Sequence, residues 1–395
     1  MGYSEMSWSE TGKHLNCELP TPCYVFDEKI LLEGIRQIKE ELPACSKVCY
    51  AMKANPFIVN AADKEADRFE VCSPGEYEIC HRYGIDPEKI IISGVNKTYD
   101  SIERIMELSG GKGIYTAESK QHYKIISELA KKHNFKVEMF VRLSSGNQFG
   151  VSESDLEDIF EENIGNEYCH IIGVHYFSGT QKRMKKIERE LAYLDEYAEK
   201  IKGKFNIESL ELEYGPGLAV SYFEDDKKPG REEQLTKLNS LLSELKNFDK
   251  IGIELGRFIA ADCGCFLTKV DDVKKIDKTE FAILDSGIHQ FGYYGQMMGM
   301  KIPPMLQSDT NDDKHIYTVC GALCTINDVI LRDAELRKLS IGSTLLFEKC
   351  GAYSVTEGMS LFLSRDLPAV YLFNKDENYI CLREGCGTDN LYSFK

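Results

Sequence analysis

The 395-residue chain predicts two domains, a closed (β/α)8 barrel over residues 28–262 and a mainly β domain formed by 1–27 with 263–395. Three observations carry that expectation. Eight short apolar runs alternate with helix-period segments, which implies parallel strands covered by helices, and eight such units fit a barrel. No G-x-G-x-x-G follows the first of these runs, which argues against an open doubly wound sheet, although alternation alone is compatible with both. After about residue 263 strand-like runs follow one another with little helix between them.

In chain order, "EKILLEGIRQIKEEL" (28–42) has helical period and precedes the first strand, "KVCYAM" (47–52). The strands "FEVCS" (69–73), "KIIISG" (89–94), "GIYTA" (113–117), "FKVEMFVRL" (135–143), "HIIGVHYF" (170–177), "SLELEY" (209–214) and "KIGIEL" (250–255) follow. Each is short, apolar and rich in β-branched or aromatic residues. Amphipathic helices are predicted over 117–133, 185–203 and 232–248. In the second domain "GCFLTKVDDV", "EFAILDSG", "HIYTVCGAL", "STLLFEKCGAYSV" and "AVYLFNKDENYICLRE" read as strands.

With 48 basic against 64 acidic residues the net charge is −16, which argues against a nucleic-acid or anionic-membrane partner. The first twenty residues lack the basic lead and apolar core of a signal peptide, and no apolar run is long enough to span a bilayer. A cytoplasmic protein is expected. The fourteen cysteines are scattered without paired C-x-x-C spacing, so they read as buried thiols, with no metal site expected.

Barrel chemistry sits at the C-terminal ends of the strands. Lys53 follows the first strand, in "VCYAMKANP". "HYFSGTQ" (175–181) follows the sixth, "YGPGLAVSY" (214–222) the seventh, and "ELGRFIA" (254–260) closes the eighth. Glycine-rich turns after the last two strands are where barrels bind phosphate, because bare backbone can aim N–H groups at oxygen. Gly215, Gly217 and Gly256 supply that backbone, and Arg257 adds charge. A lysine, a phosphate site and an acid at the last strand end together suggest pyridoxal phosphate. Lys53 would form the Schiff base, and Glu254 would keep the pyridine nitrogen protonated. Taken singly, Lys53 also reads as a snorkelling rim lysine, and Glu254 as an ion-pair partner of Arg257.

Seven ordered motifs resemble the fold-type III pyridoxal-phosphate decarboxylases, the family of diaminopimelate and ornithine decarboxylases, whose barrel is shared by alanine racemase. They are "YAMKANP", "FEVCSPGE" (69–76), "NQFGV" (147–151), "HYFSGTQ", "YGPGLAVSY" with "ELGR", "CGALCTINDV" (320–329) and "GAYSVTEGMS" (351–360). The resemblance implies a pyridoxal-phosphate-dependent amino-acid decarboxylase. Lys53 would hold the cofactor, with Glu70 at the next strand end and Glu254 on the ring nitrogen. Gly215, Gly217, Gly256, Arg257 and Tyr353 would form the phosphate site, with Thr180 close by. Cys324 resembles the cysteine that a partner subunit lends as proton donor, which implies a homodimer with shared active sites.

The departures from the family bear on substrate. Diaminopimelate decarboxylases carry Glu after this cysteine and ornithine decarboxylases Asp, to meet a distal ammonium. Here the residue is Thr325. The segment that carries the distal-carboxylate arginine, "LDSGIHQFGYYGQMMGMKIPPM" (284–305), has only Lys301 and His289. Both features resemble a side branch that includes a butirosin-pathway enzyme, which decarboxylates glutamate tethered to an acyl-carrier protein. A free small-molecule amino acid and a carrier-bound one both remain open as substrate. Phe177 replaces the histidine that stacks on the cofactor, leaving His175 at the earlier histidine of that motif. Gln148 replaces the lysine that pairs across the dimer with the counterpart of Asp328, and Leu255 replaces a proline. Alternatives to this reading are diaminopimelate decarboxylase proper, an amino-acid racemase using Tyr293 or Tyr294 as second base, and a non-catalytic binding protein.

Overall fold

The computed structural model describes residues 12–16 and 18–393. Most of the N-terminal stretch read above for a leader, and part of the 1–27 assignment, lie outside the described residues. The chain divides into two compact units. One comprises 32–219 and 229–258, and the other the residues up to 31, 220–228 and 259 onward. The segment 220–228 thus belongs to the second unit, although the expected barrel ran unbroken to 262.

The first unit is a closed parallel barrel of eight strands, each falling on a run identified in the sequence. They are β2 (Ser46–Ala51), β3 (Arg68–Val71), β4 (Ile90–Ile92), β5 (Ile114–Ala117), β6 (Val137–Arg142), β7 (Cys169–Phe177), β8 (Glu211–Gly215) and β9 (Lys250–Leu255). Closure is made by β2 pairing with β9, Cys49 opposite Glu254. Helices between the strands start where the sequence provides caps. Ser73 accepts from the Glu76 N–H, Ser119 from His122, and Thr98 with Ser101 forms a reciprocal capping box. The helix Lys120–His133 shows the burial that its period implies, with Tyr123, Ile126, Leu129 and Ala130 buried on one face.

Inside the barrel an apolar cluster of Cys49, Ile91, Ile114 and Phe140 gives way to charge. Arg68 on β3 hydrogen-bonds Glu211 and Glu213 on β8, strands that are not neighbours, so these bonds cross the interior. A core with that many ionisable groups is costly unless they are paired, and these are.

The second unit holds a nine-stranded mixed sheet. Its main path runs β14 (Val329–Arg337), β13 (Lys314–Cys320), β11 (Thr279–Leu284), β10 (Gly264–Ile276), β1 (Cys23–Asp27), β16 (Ala369–Phe373) and β17 (Tyr379–Arg383). β15 (Thr344–Phe347) pairs with β10 and with β12 (Met305–Gln307). Its core is built from Cys23, Val25, Cys265, Leu267, Leu346, Ala369 and Phe373. Among the described residues, no helix is long and apolar enough to cross a membrane.

Candidate active site

The strand order sets the site. Around the barrel, β3, β2, β9, β8 and β7 are consecutive neighbours. Their C-terminal ends therefore line up Glu70, Lys53, Glu254 with Gly256 and Arg257, the Gly215–Gly217 turn, and Phe177 with Thr180, in that order.

Lys53 lies just beyond β2 in the 3-10 turn Met52–Ala54. Buried Asn55 ends that turn and caps the next, its Oδ1 accepting from the Phe57 N–H at 3.0 Å while Pro56 occupies the first helical position. "KANP" is thus a rigid pair of turns that presents one amine. Lys53 Nζ donates to Glu70 Oε2 at 2.7 Å and to the Cys72 sulfur at 3.4 Å, and sits 5.8 Å from the centre of the Phe177 ring. Burial opposes charge on Lys53, but Glu70, Cys72 and Glu254 outweigh it and raise the ammonium well above its usual range. Burial likewise opposes ionisation of Glu70, yet Lys53 brings its carboxyl down to about 2.

Glu254, on β9, is buried. Its Oε2 is 3.1 Å from His175 Nε2, and its Oε1 has no hydrogen-bond partner. The alternative pairing with Arg257 is therefore not the one formed. Arg257 is buried at the end of the same strand.

At Gly217 φ is +58°, and a Cβ there would stand 2.1 Å from the carbonyl oxygen of Gly179. Only glycine lets the turns after β7 and β8 approach this closely. Beneath them Lys182, one residue past "HYFSGTQ", is buried. Its Nζ donates to Glu190 Oε2 at 2.7 Å and to the Gly215 carbonyl at 2.9 Å, and its backbone N–H donates to the Gly217 carbonyl at 2.9 Å. Burial, against the pull of Glu190, brings its ammonium down to about 8.

The sequence reading missed Lys182, and it missed Arg142 at the end of β6, which is 2.9 Å from Glu118 and lies over the Phe149 ring. Cys72, read with the other cysteines as a buried thiol, is half-buried and stands beside Lys53. Gln148 is exposed in the turn between β6 and β7.

The remaining expected residues belong to the second unit. Cys324 is exposed on the loop between β13 and β14, with Thr325 half-buried next to it. Asp328 was expected at a subunit interface. Within the chain its carboxylate holds backbone, Oδ1 accepting from the Ile288 N–H at 2.9 Å and Oδ2 from the Leu323 N–H at 2.8 Å. Tyr353 is half-buried with φ +67°. Cys320 is half-buried at the end of β13.

An amine at one strand end, a buried carboxylate oxygen without a partner on the adjoining strand, and a bare-backbone turn on the next fit pyridoxal phosphate. The three features match its aldehyde, its ring nitrogen and its phosphate. The fold and site thus define a barrel enzyme of the pyridoxal class. Residues 29–261 match the family model described as pyridoxal-dependent decarboxylase, pyridoxal binding domain. The chain belongs to that family of decarboxylases.

Its relatives differ in substrate. A diaminopimelate decarboxylase of Aquifex aeolicus is 25% identical over 86% of this chain and 84% of its own length. The 2-[(L-alanin-3-ylcarbamoyl)methyl]-2-hydroxybutanedioate decarboxylase of Staphylococcus aureus is 27% identical over 91% and 96%. The L-glutamyl-[BtrI acyl-carrier protein] decarboxylase of Niallia circulans is 24% identical over 93% and 92%. Among solved structures, diaminopimelate decarboxylase from Helicobacter pylori complexed with L-lysine superposes with a TM-score of 0.82 at 23% identity, covering 98% of both chains. At that identity the likeness concerns the fold.

Proposed function

We propose that this decarboxylase removes the α-carboxylate of an L-amino acid whose distal end carries no free ammonium, being masked by a carrier protein or another linkage. One observation carries the catalytic half of the reading: Lys53 and Glu254 stand at the ends of paired strands, with Glu254 Oε1 buried and unpartnered. Thr325 supports the substrate half, because a buried ammonium needs a counter-charge that threonine cannot supply. Two of the relatives act, by their names, on an amino acid joined through a carbamoyl group and on one held by a carrier protein. The runner-up, free diaminopimelate, is favoured by the Aquifex relative.

Pyridoxal phosphate, when bound, supplies the electron sink for the pair left behind as carbon dioxide departs. The residues do the rest. Lys53 Nζ is the tethering amine, and Glu70 Oε2 at 2.7 Å is the nearest acceptor for the proton it must give up. Glu254 Oε1 holds the ring nitrogen. The Gly215–Gly217 turn, Gly256 and Arg257 hold phosphate, with Thr180 beside them and Tyr353 assigned by resemblance. Phe177 offers a ring face that carries no charge. Cys324, exposed on its loop, gives a proton to carbon in the site of a second copy of the chain, which makes the working form a homodimer. Of the two bases open to the racemase reading, Tyr293 is poorly placed to act. The Tyr293 hydroxyl donates to the Glu348 carbonyl at 2.6 Å, and burial with Cys350 nearby raises it well above its usual range.

The test has two stages. Purified protein should show a visible absorbance band that borohydride removes, with pyridoxyl recovered on Lys53. Carbon dioxide release is then compared for carrier-bound, amide-capped and free amino acids. Activity on free diaminopimelate alone overturns the substrate reading and leaves the cofactor reading standing.

A further inference from the structure

A string of buried polar side chains crosses the barrel interior. Arg68 Nη1 lies 3.0 Å from Glu213 Oε2. One oxygen of Glu213, one of Glu254 and the Cys49 sulfur all lie within 4.8 Å of one another. Glu254 Oε2 then reaches His175 Nε2 at 3.1 Å. All five residues are buried. The backbone accommodates the string: β8 and β9 pair Glu213 with Gly252, where a Cβ would stand 1.9 Å from Glu213 Oε2. Any side chain at 252 would displace that carboxyl group.

The string and its neighbour Glu211 hold more carboxyl groups than arginine charges. Arg68 carries one positive charge, and Glu211 already meets it, so a second ionised carboxyl beside it would be in excess. Burial and the nearby Glu254 charge push the Glu213 carboxyl well above the usual range, against the pull of Arg68. On the far side, an imidazole with its proton on Nε2 is a donor to Glu254, and Nδ1 then needs no donor of its own; it has no hydrogen-bond partner.

We propose that Glu213 and His175 are positioning residues for Glu254. His175 pins Oε2, Glu213 stays uncharged and so leaves the negative charge on Glu254, and Oε1 is the one oxygen left for a ring nitrogen. The inference rests on the pyridoxal phosphate reading of Glu254. The string then sets how firmly that nitrogen keeps its proton, and with it the strength of the electron sink.

The experiment reconstitutes the protein with pyridoxal phosphate labelled with 15N in the ring and reads the 15N resonance, cofactor affinity and melting temperature. The wild type should show a protonated ring nitrogen. Glu213→Gln, uncharged and of the same shape, should keep that resonance and bind cofactor within about threefold of wild type. His175→Phe should move the resonance towards the unprotonated position while borohydride still fixes the cofactor on Lys53. His175→Gln, which keeps an N–H donor, should restore it. An unprotonated nitrogen in the wild type overturns the reading of Glu254 as the ring-nitrogen partner. A protonated wild type whose signal His175→Phe leaves unmoved, or Glu213→Gln abolishes, overturns this inference alone.

Discussion

The Lys53 ammonium and the Glu70 carboxylate stand 2.7 Å apart, and the Cys72 thiol touches both, 3.4 Å from the nitrogen and 3.1 Å from Glu70 Oε1. The amine proposed as the tether therefore has a charge partner within the barrel.

That pair gives acid stability a definite sign. Glu70 falls from an ordinary value of 4.5 to about 2, so its contribution is fully present above pH 4.5 and is lost as pH drops towards 2. Its size is on the order of 2–3 kcal/mol. Chemical denaturation of the cofactor-free protein at pH 6 and pH 3 should show this loss in the wild type and a smaller one in Glu70→Gln. Equal losses in both proteins would contradict the assignment.

Lys182 and Glu190 are expected to fail separately and tolerate joint removal. Lys182→Met leaves the buried Glu190 carboxylate with the exposed Lys186 ammonium, 3.7 Å from its Oε1, in place of a buried cation, and should cost up to about 3–5 kcal/mol. The double variant with Glu190→Gln should recover a large part of that in the same denaturation assay. A double variant less stable than Lys182→Met would show that the pair is not the unit.

Gly217→Ala puts a methyl group against the Gly179 carbonyl at a positive φ. The expected result is a fall in pyridoxal phosphate affinity of at least about tenfold, with the fold retained, read by titration of the visible band. Unchanged affinity would remove this turn from the phosphate site.

The proposed shared active sites make a mixing prediction. Lys53→Ala and Cys324→Ala should each be nearly inactive, and a re-paired mixture should regain about a quarter of wild-type decarboxylation, because half the dimers then hold one intact site. Recovery absent from dimers proven to exchange would place Cys324 outside the chemistry.

The barrel was legible because its strands are apolar runs, several of them set off by amphipathic helices, a pattern local to a few dozen residues. β1, β12 and β14 were not picked out. "CYVFD" is short and pairs with β16 from the other end of the chain, Cys23 opposite Ala369. β12 has three residues, and β14 passes from three buried apolar residues into mostly exposed, charged positions. Lys53 and Glu254 were found because strand ends mark rim positions. Arg68 with Glu213, and Lys182 with Glu190, were not, since charged residues within strands or turns carry no local sign of the partner that barrel closure brings. The contacts of Asp328 within the chain were equally illegible, because its carboxylate meets backbone amides, which any sequence offers.

The pairing of β2 with β9 has a consequence for biosynthesis. Lys53 leaves the ribosome early and Glu254 late, and the two become neighbours only when the last barrel strand docks against the first. Between those moments the nascent chain carries an amine but no assembled pocket. On the proposed site, cofactor capture would therefore report that the barrel has closed, and a chain truncated before β9 would have nowhere to keep it.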